Sequence, residues 1–116
     1  MNAFDILGDP ARRRIVELLA QGERSAGDIT GIVREEFGIS QPAVSNQLRL
    51  LRESGFAAVR PSGARRLYAL REGALDDVAD WIERQRSTWS GRLDALDTEL
   101  RRGARAGLDR RDGGEA

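Results

Sequence analysis

The segment Ser40-Gln-Pro-Ala-Val-Ser-Asn-Gln-Leu-Arg-Leu-Leu-Arg-Glu-Ser-Gly55 constrains this chain more than any other, because it carries a helix start, a helix stop and two faces of different chemistry. Ser40 is an N-cap residue whose hydroxyl can accept from a first-turn backbone N–H. Pro42 lies inside that turn, where its missing N–H removes no intrahelical bond. Gly55 can take the left-handed conformation that ends a helix. Val44, Leu48 and Leu51 recur at i, i+4 and i+7 and form one buried stripe. Gln41, Ser45 and Arg49 recur at i, i+4 and i+8, a second line about 90° round the cylinder. That line holds no Asp or Glu. Gln and Arg make bidentate bonds to base edges, and Ser reaches a base or a phosphate. With Asn46 beside them, these residues describe a DNA-recognition helix. A neutral polar surface helix is the competing description, and the segment alone does not separate the two.

The residues after the helix shift the balance toward DNA recognition. Phe56–Leu70 reads as two short strands around a Pro61-Ser62-Gly63 turn, with Arg60 before the turn and Arg65 and Arg66 after it. A helix succeeded at once by a basic hairpin is the pattern of a winged helix-turn-helix, in which the helix enters the major groove and the wing lies along the phosphates. Upstream, Asp9-Pro10 is an N-cap with proline at N1, Ala11, Ile15, Leu18 and Leu19 mark a buried face, and Gly22 closes the helix. Ser25 caps the next helix with Asp28 in capping-box position. Ile29, Ile32, Val33 and Phe37 give its buried side, and Gly38-Ile39 makes the tight turn before Ser40. Two helices joined in this way are a helix-turn-helix. Arg12–Arg14 read as a solvated turn, with contact of one of them to phosphate the competing description, and Arg34, Glu35 and Glu36 read as solvated.

Beyond the wing, Gly73 precedes a helical pattern over about residues 74–102, carried by Leu75, Val78, Ile82, Trp89, Leu93, Leu96 and Leu100. At about 1.5 Å per residue such a helix extends over about 40 Å, too long to bury within so small a domain. An apolar stripe of that length normally meets a partner chain, and a second copy is the simplest one. The expected dimer interface is Phe4, Leu75, Val78, Ile82, Trp89, Leu93 and Leu96, with Trp81 a further anchor. A helix folded back on its own core is the competing description. After Arg102 periodicity is lost, and residues 103–116 are expected to be a disordered tail after a single domain of residues 1–102.

Formal net charge is zero, from 19 basic and 19 acidic residues, which at first argues against a nucleic-acid partner. Distribution matters more than the sum. Ser40–Arg66 holds five arginines against one acid, Glu53, whereas Arg71–Ala116 holds eleven acids and nine arginines. Every basic residue is Arg, which fits a codon bias better than a functional demand. Cysteine and histidine are both absent. No Gly-rich phosphate loop, activated nucleophile or paired acids in an apolar cleft accompany them, so an enzyme is not expected. Nor does the N-terminus read as a signal peptide, and no run reaches the apolar length of a membrane span. The expectation is a cytoplasmic protein without a membrane partner.

Asp9-Pro10-Ala-Arg-Arg-Arg-Ile-Val-Glu-Leu-Leu19, Ser40–Leu51, Gly55-Phe56 and Gly63-Ala-Arg-Arg-Leu-Tyr68, in this order and spacing, resemble the ArsR/SmtB family of bacterial repressors. The resemblance runs from about Phe4 to Leu70, more loosely along the C-terminal helix. It implies a homodimeric winged-helix repressor of a palindromic operator, often the repressor's own promoter. Many relatives sense metals through Cys or His pairs, and this chain has neither residue. The place of a thiolate pair reads Glu23-Arg-Ser-Ala-Gly-Asp28, and the C-terminal helix offers only carboxylates such as Asp76, Asp77 and Asp80. Carboxylates alone suit hard ions, not zinc or thiophilic metals. The family often has His where Gln47 stands here.

The expectation is therefore a mainly α fold with a small β-hairpin wing and a long dimerisation helix. Its partners are double-stranded DNA and a second copy of itself, with no cofactor, no metal and no effector identified. Gln41, Ser45, Asn46 and Arg49 are the candidate base readers. Ser40, Arg52, Arg60, Arg65 and Arg66 are the candidate phosphate contacts. The alternative is a winged-helix module that binds another protein through its long helix.

Overall fold

The structure is a computed structural model that describes the backbone of residues 1–115 and the side chains of residues 1–105. Its order is α1 (Ala3–Gly8), α2 (Pro10–Gln21), β1 (Arg24–Ser25), α3 (Ala26–Phe37), α4 (Gln41–Glu53), β2 (Ala57–Ser62), β3 (Arg65–Leu70) and α5 (Asp76–Glu115). The fold is mainly helical, with one three-stranded antiparallel sheet in the order β1-β3-β2. Two compact units divide between Val78 and Ala79.

In the first unit the stripes predicted for α2, α3 and α4 meet in one core. Ile15, Ile29, Val33, Val44 and Leu51 are fully buried, and Ile6 of α1, Phe56 and Tyr68 complete the packing. Burying such aliphatic side chains is worth about 1.5–3 kcal/mol each, so this cluster decides how the helices lie. Capping sets where they stop. Ser25 Oγ accepts from Asp28 N–H at 3.1 Å and Ser40 Oγ accepts from Ala43 N–H at 3.2 Å. Gly38, at φ 65° and ψ 25°, takes the left-handed conformation that turns the chain between α3 and α4. Its N–H donates to Arg34 O at 2.9 Å, closing α3.

The hairpin turn lies later in the chain than the Pro61-Ser62-Gly63 pattern predicts. Pro61 and Ser62 belong to β2, opposite Arg66 and Arg65, and the reversal is Gly63-Ala64. Proline is tolerated there because β2 is an edge strand, whose outward N–H positions have no partner to lose. The third strand, β1, has only two residues, Arg24 opposite Tyr68 and Ser25 opposite Leu67, too few to show an alternating pattern in sequence. Phe37, predicted on the buried side of α3, is 38% exposed, since it ends the helix beyond Ile29 and Val33.

Helix α1 ends in an unusual way. Ile6 O would normally be served by the N–H four residues on, but that residue is Pro10. Arg12 fills the gap, donating from Nε to Ile6 O at 3.3 Å and from Nη2 to Asp5 O at 2.9 Å, while Arg13 Nη1 donates to Leu7 O at 2.8 Å. Arg12 Nη1 also donates to Gln47 Oε1 on α4 at 2.9 Å. Of the arginines expected to be solvated, Arg12 and Arg13 therefore cap α1, and Arg12 ties it to α4.

In the second unit the described side chains of α5 are exposed, Trp89 at 60%, Leu93 at 46% and Leu96 at 52% among them. The helix assignment continues to Glu115, past the end near Arg102 that periodicity predicts. Most of the tail expected over residues 103–116 lies outside the residues whose side chains are described.

Replacing Arg12 with Ala should lower the unfolding free energy by about 1–3 kcal/mol, the usual cost of losing charge-assisted bonds to partly buried acceptors, here Ile6 O and Gln47 Oε1. Chemical denaturation measures it. An unchanged midpoint would show that water serves these acceptors equally well.

Candidate nucleic-acid interface

Because Val44, Leu48 and Leu51 hold α4 on the core, its remaining sides are delivered to solvent. Gln41, Ser45, Asn46 and Arg49 are all exposed, as the helical spacing requires. Gln41, Ser45, Arg49 and Arg52 line one side of an open cleft of about 600 Å³. Helix α3 supplies the facing wall with Gly27, Thr30, Gly31 and Arg34, and β3 supplies Arg66 and Tyr68. Four arginines thus line this concavity and no acidic residue does. Arg66 also lines a second, adjoining hollow of about 480 Å³, with Arg65 and the start of α3.

Ion pairing sorts the candidate contacts. Arg49 donates from Nη1 to Glu53 Oε1 and Oε2, both at 3.4 Å, and from Nη2 to Asn46 Oδ1. Two of the four candidate base readers are therefore bonded to each other. Arg60 is held more firmly, with Nε and Nη2 each donating to Glu23 at 2.8 Å. Expected beside a phosphate, Arg60 in the free protein ties β2 to the turn between α2 and β1. By contrast, Arg52, Arg65 and Arg66 take part in no ion pair among the described residues. Ser40 accepts from Ala43 N–H, and its own O–H remains a donor. Of the residues expected at a dimer interface, Phe4 is 47% exposed, Leu75 and Val78 are half-buried, and Ile82, Trp89, Leu93 and Leu96 are exposed.

The same sorting identifies residues that sequence reasoning missed. Arg14 donates from Nε and Nη2 to Glu36 at 2.8 and 3.0 Å and from Nη1 to Glu17 at 3.2 Å, fastening α2 to α3. The Arg14 bond holds the Glu36 carboxyl below its usual range, and the bond to Arg60 does the same for Glu23. Partners 22 and 37 residues apart leave no local signal in the sequence. Among the described residues, no three or more acidic side chains are grouped to hold a metal ion, and no helix is long and apolar enough to cross a membrane.

A core-mounted helix whose outer line Gln41, Ser45 and Arg49 meets an acid only at its end, at Glu53, preceded by a turn-linked helix and succeeded by a basic hairpin, is a winged helix-turn-helix. The family model for bacterial regulatory proteins of the arsR family matches residues 9–59, from the cap of α2 into β2. The transcriptional repressor SdpR of Bacillus subtilis is 35% identical over 81 residues, which are 70% of this chain and 86% of that protein. The chain belongs to the ArsR family. Members of the ArsR family are transcriptional regulators and not enzymes, and this chain is a regulator of that kind. A solved possible transcriptional regulator for arsenical resistance is similar to this ArsR-family chain at a TM-score of 0.63 and 29% identity, over 85% of this chain and 96% of that one. A homodimeric winged helix-turn-helix DNA-binding domain from Mycobacterium bovis is similar at a TM-score of 0.52 and 27% identity, over 78% of each chain.

The Arg60–Glu23 pair gives the wing a pH dependence. Because the pair lowers the Glu23 pKa, its stabilisation is complete above about pH 4.3, the ordinary Glu value, and is lost as pH falls through the lower folded value. Glu23→Gln should lower the melting temperature slightly near neutral pH. That deficit should close as pH falls through the lowered Glu23 value, and a deficit persisting in strong acid would assign the effect to another contact.

Proposed function

We propose that this ArsR-family regulator is a homodimeric, sequence-specific repressor of a pseudo-palindromic DNA operator. The observation that carries the reading is the cleft of four arginines and no acidic residue, with Gln41 and Ser45 among its lining residues. Gln41 and Ser45 are the base readers that stand ready in the free protein, with Arg49 and Asn46 able to join them by exchanging their mutual bond for base edges. Arg52, Arg65 and Arg66, helped by Ser40 O–H, hold phosphates. Arg60 supports the wing through Glu23 and reaches a phosphate only by leaving that carboxylate.

Dimerisation is supported by the exposed stripe Ile82, Trp89, Leu93, Leu96 and Leu100 on α5, which a second copy would cover. The homodimeric Mycobacterium bovis domain gives it further support. Two-fold symmetry then sets half-sites about one DNA turn, or a multiple of it, apart. The rival reading, a module that binds a different protein, draws on the same stripe but gives the acid-free cleft no purpose.

Selection from randomised duplexes should recover one inverted-repeat motif, and the chain's own promoter is the first natural fragment to compare with it. Gln41→Ala should relax one position of the motif at a cost of about 1–3 kcal/mol. The Arg65/Arg66 double Ala variant should weaken binding to all sequences and flatten the salt dependence. A motif left unchanged by Gln41→Ala, or a salt slope left unchanged by the wing variant, would contradict these roles. Leu93→Glu should convert a dimer to a monomer in light scattering; a wild-type monomer would point to a different partner for α5.

A further inference from the structure

Arg34 of α3 is neither a base reader nor a wing residue, and its sequence context, beside Glu35 and Glu36, suggests only a solvated charge. Its surroundings are more specific. Glu36 is taken by Arg14 of α2. Among the described residues Arg34 takes part in no ion pair, and it is one of the residues lining the same cleft as Arg49, Arg52 and Arg66. Like charges gathered around one concavity repel one another, and an anion entering it relieves that repulsion. Gly27, Thr30, Gly31 and Arg34 recur at i, i+3, i+4 and i+7, so they form one wall of the cleft. A Cβ added at Gly31 would meet no atom within 4 Å, so the protein's own packing does not require glycine there. The wall is low, which lets a bulky anion come close to α3 and within reach of Thr30 and Arg34.

We propose that Arg34, with the Thr30 hydroxyl one turn before it, is a DNA-phosphate contact supplied by the first helix of the helix-turn-helix. This rests on the proposed DNA-binding role of the cleft and gives its α3 wall a phosphate contact of its own. Gly27 begins the wall at the end shared with the wing, and Arg34 lies about 10 Å farther along α3. Arg34 therefore meets a different phosphate from those met by Arg65 and Arg66. The recognition helix is then fixed in the groove by backbone contacts on α3 as well as on the wing.

The test is equilibrium binding of the full chain to a short mixed-sequence duplex over a range of salt concentrations, for wild type, Arg34→Ala and Arg34→Lys. Each phosphate contact contributes about 0.9 to the slope of log K against log salt. Arg34→Ala should flatten the slope by about that amount for each protomer bound. It should weaken binding to every sequence alike and leave the melting temperature unchanged, and Arg34→Lys should restore the slope. Arg34→Gln is a second neutral variant should Ala disturb the helix. A wild-type slope in both neutral variants would overturn the assignment, as would a loss confined to one sequence. If wild type bound no duplex even at low salt, the DNA-binding role itself would fall, and this contact with it.

Discussion

The burial of Val44, Leu48 and Leu51 is the interaction on which the rest of this structure depends. It takes one side of α4 out of water and so fixes which residues the other side shows. Ile15, Ile29 and Val33, from α2 and α3, are buried in the same core. The wing leaves α4 through Gly55 and Phe56, whose N–H returns to Leu51 O at 2.9 Å. A close-packed core does not slide, so the outer line of α4 is positioned as accurately as the core is packed.

Charge is organised by partnering. Arg14 and Arg60 commit their guanidiniums to Glu36 and Glu23, and Arg12 and Arg13 to the end carbonyls of α1. The cleft arginines outside any ion pair among the described residues are Arg34, Arg52 and Arg66, with Arg49 held only by longer bonds to Glu53 and by Asn46. A chain of zero net charge can in this way present a strongly positive surface where it meets an anion. Arginine suits both uses, since its planar fork bonds a carboxylate, a carbonyl or a phosphate.

Most of this was legible in the sequence wherever the signal was local. Caps at Ser25 and Ser40, the stripe of α4 and the glycine turn at Gly38 appear at the expected places, the basic hairpin follows α4 with its turn displaced toward Gly63-Ala64, and the family resemblance drawn from them holds. Phe37 shows the limit of periodicity, which places a residue on a face but does not say where the core ends. Pro61 shows another: proline signals a turn in sequence, yet an edge strand accommodates it. The roles of Arg12, Arg14 and Arg60 were out of reach, because each depends on a partner brought close only by the fold. Arg34 is hidden in the sequence by its acidic neighbours, and only the fold gives Glu36 to Arg14.

If α4, supported by α3 and the wing, is the surface that meets DNA, an NMR titration of the isotope-labelled protein with the selected duplex tests it most directly. Amide shifts should concentrate in Gln41–Glu53, in the cleft wall of α3 and in Arg65–Leu70. Shifts confined to α5, or none at duplex excess, would contradict it.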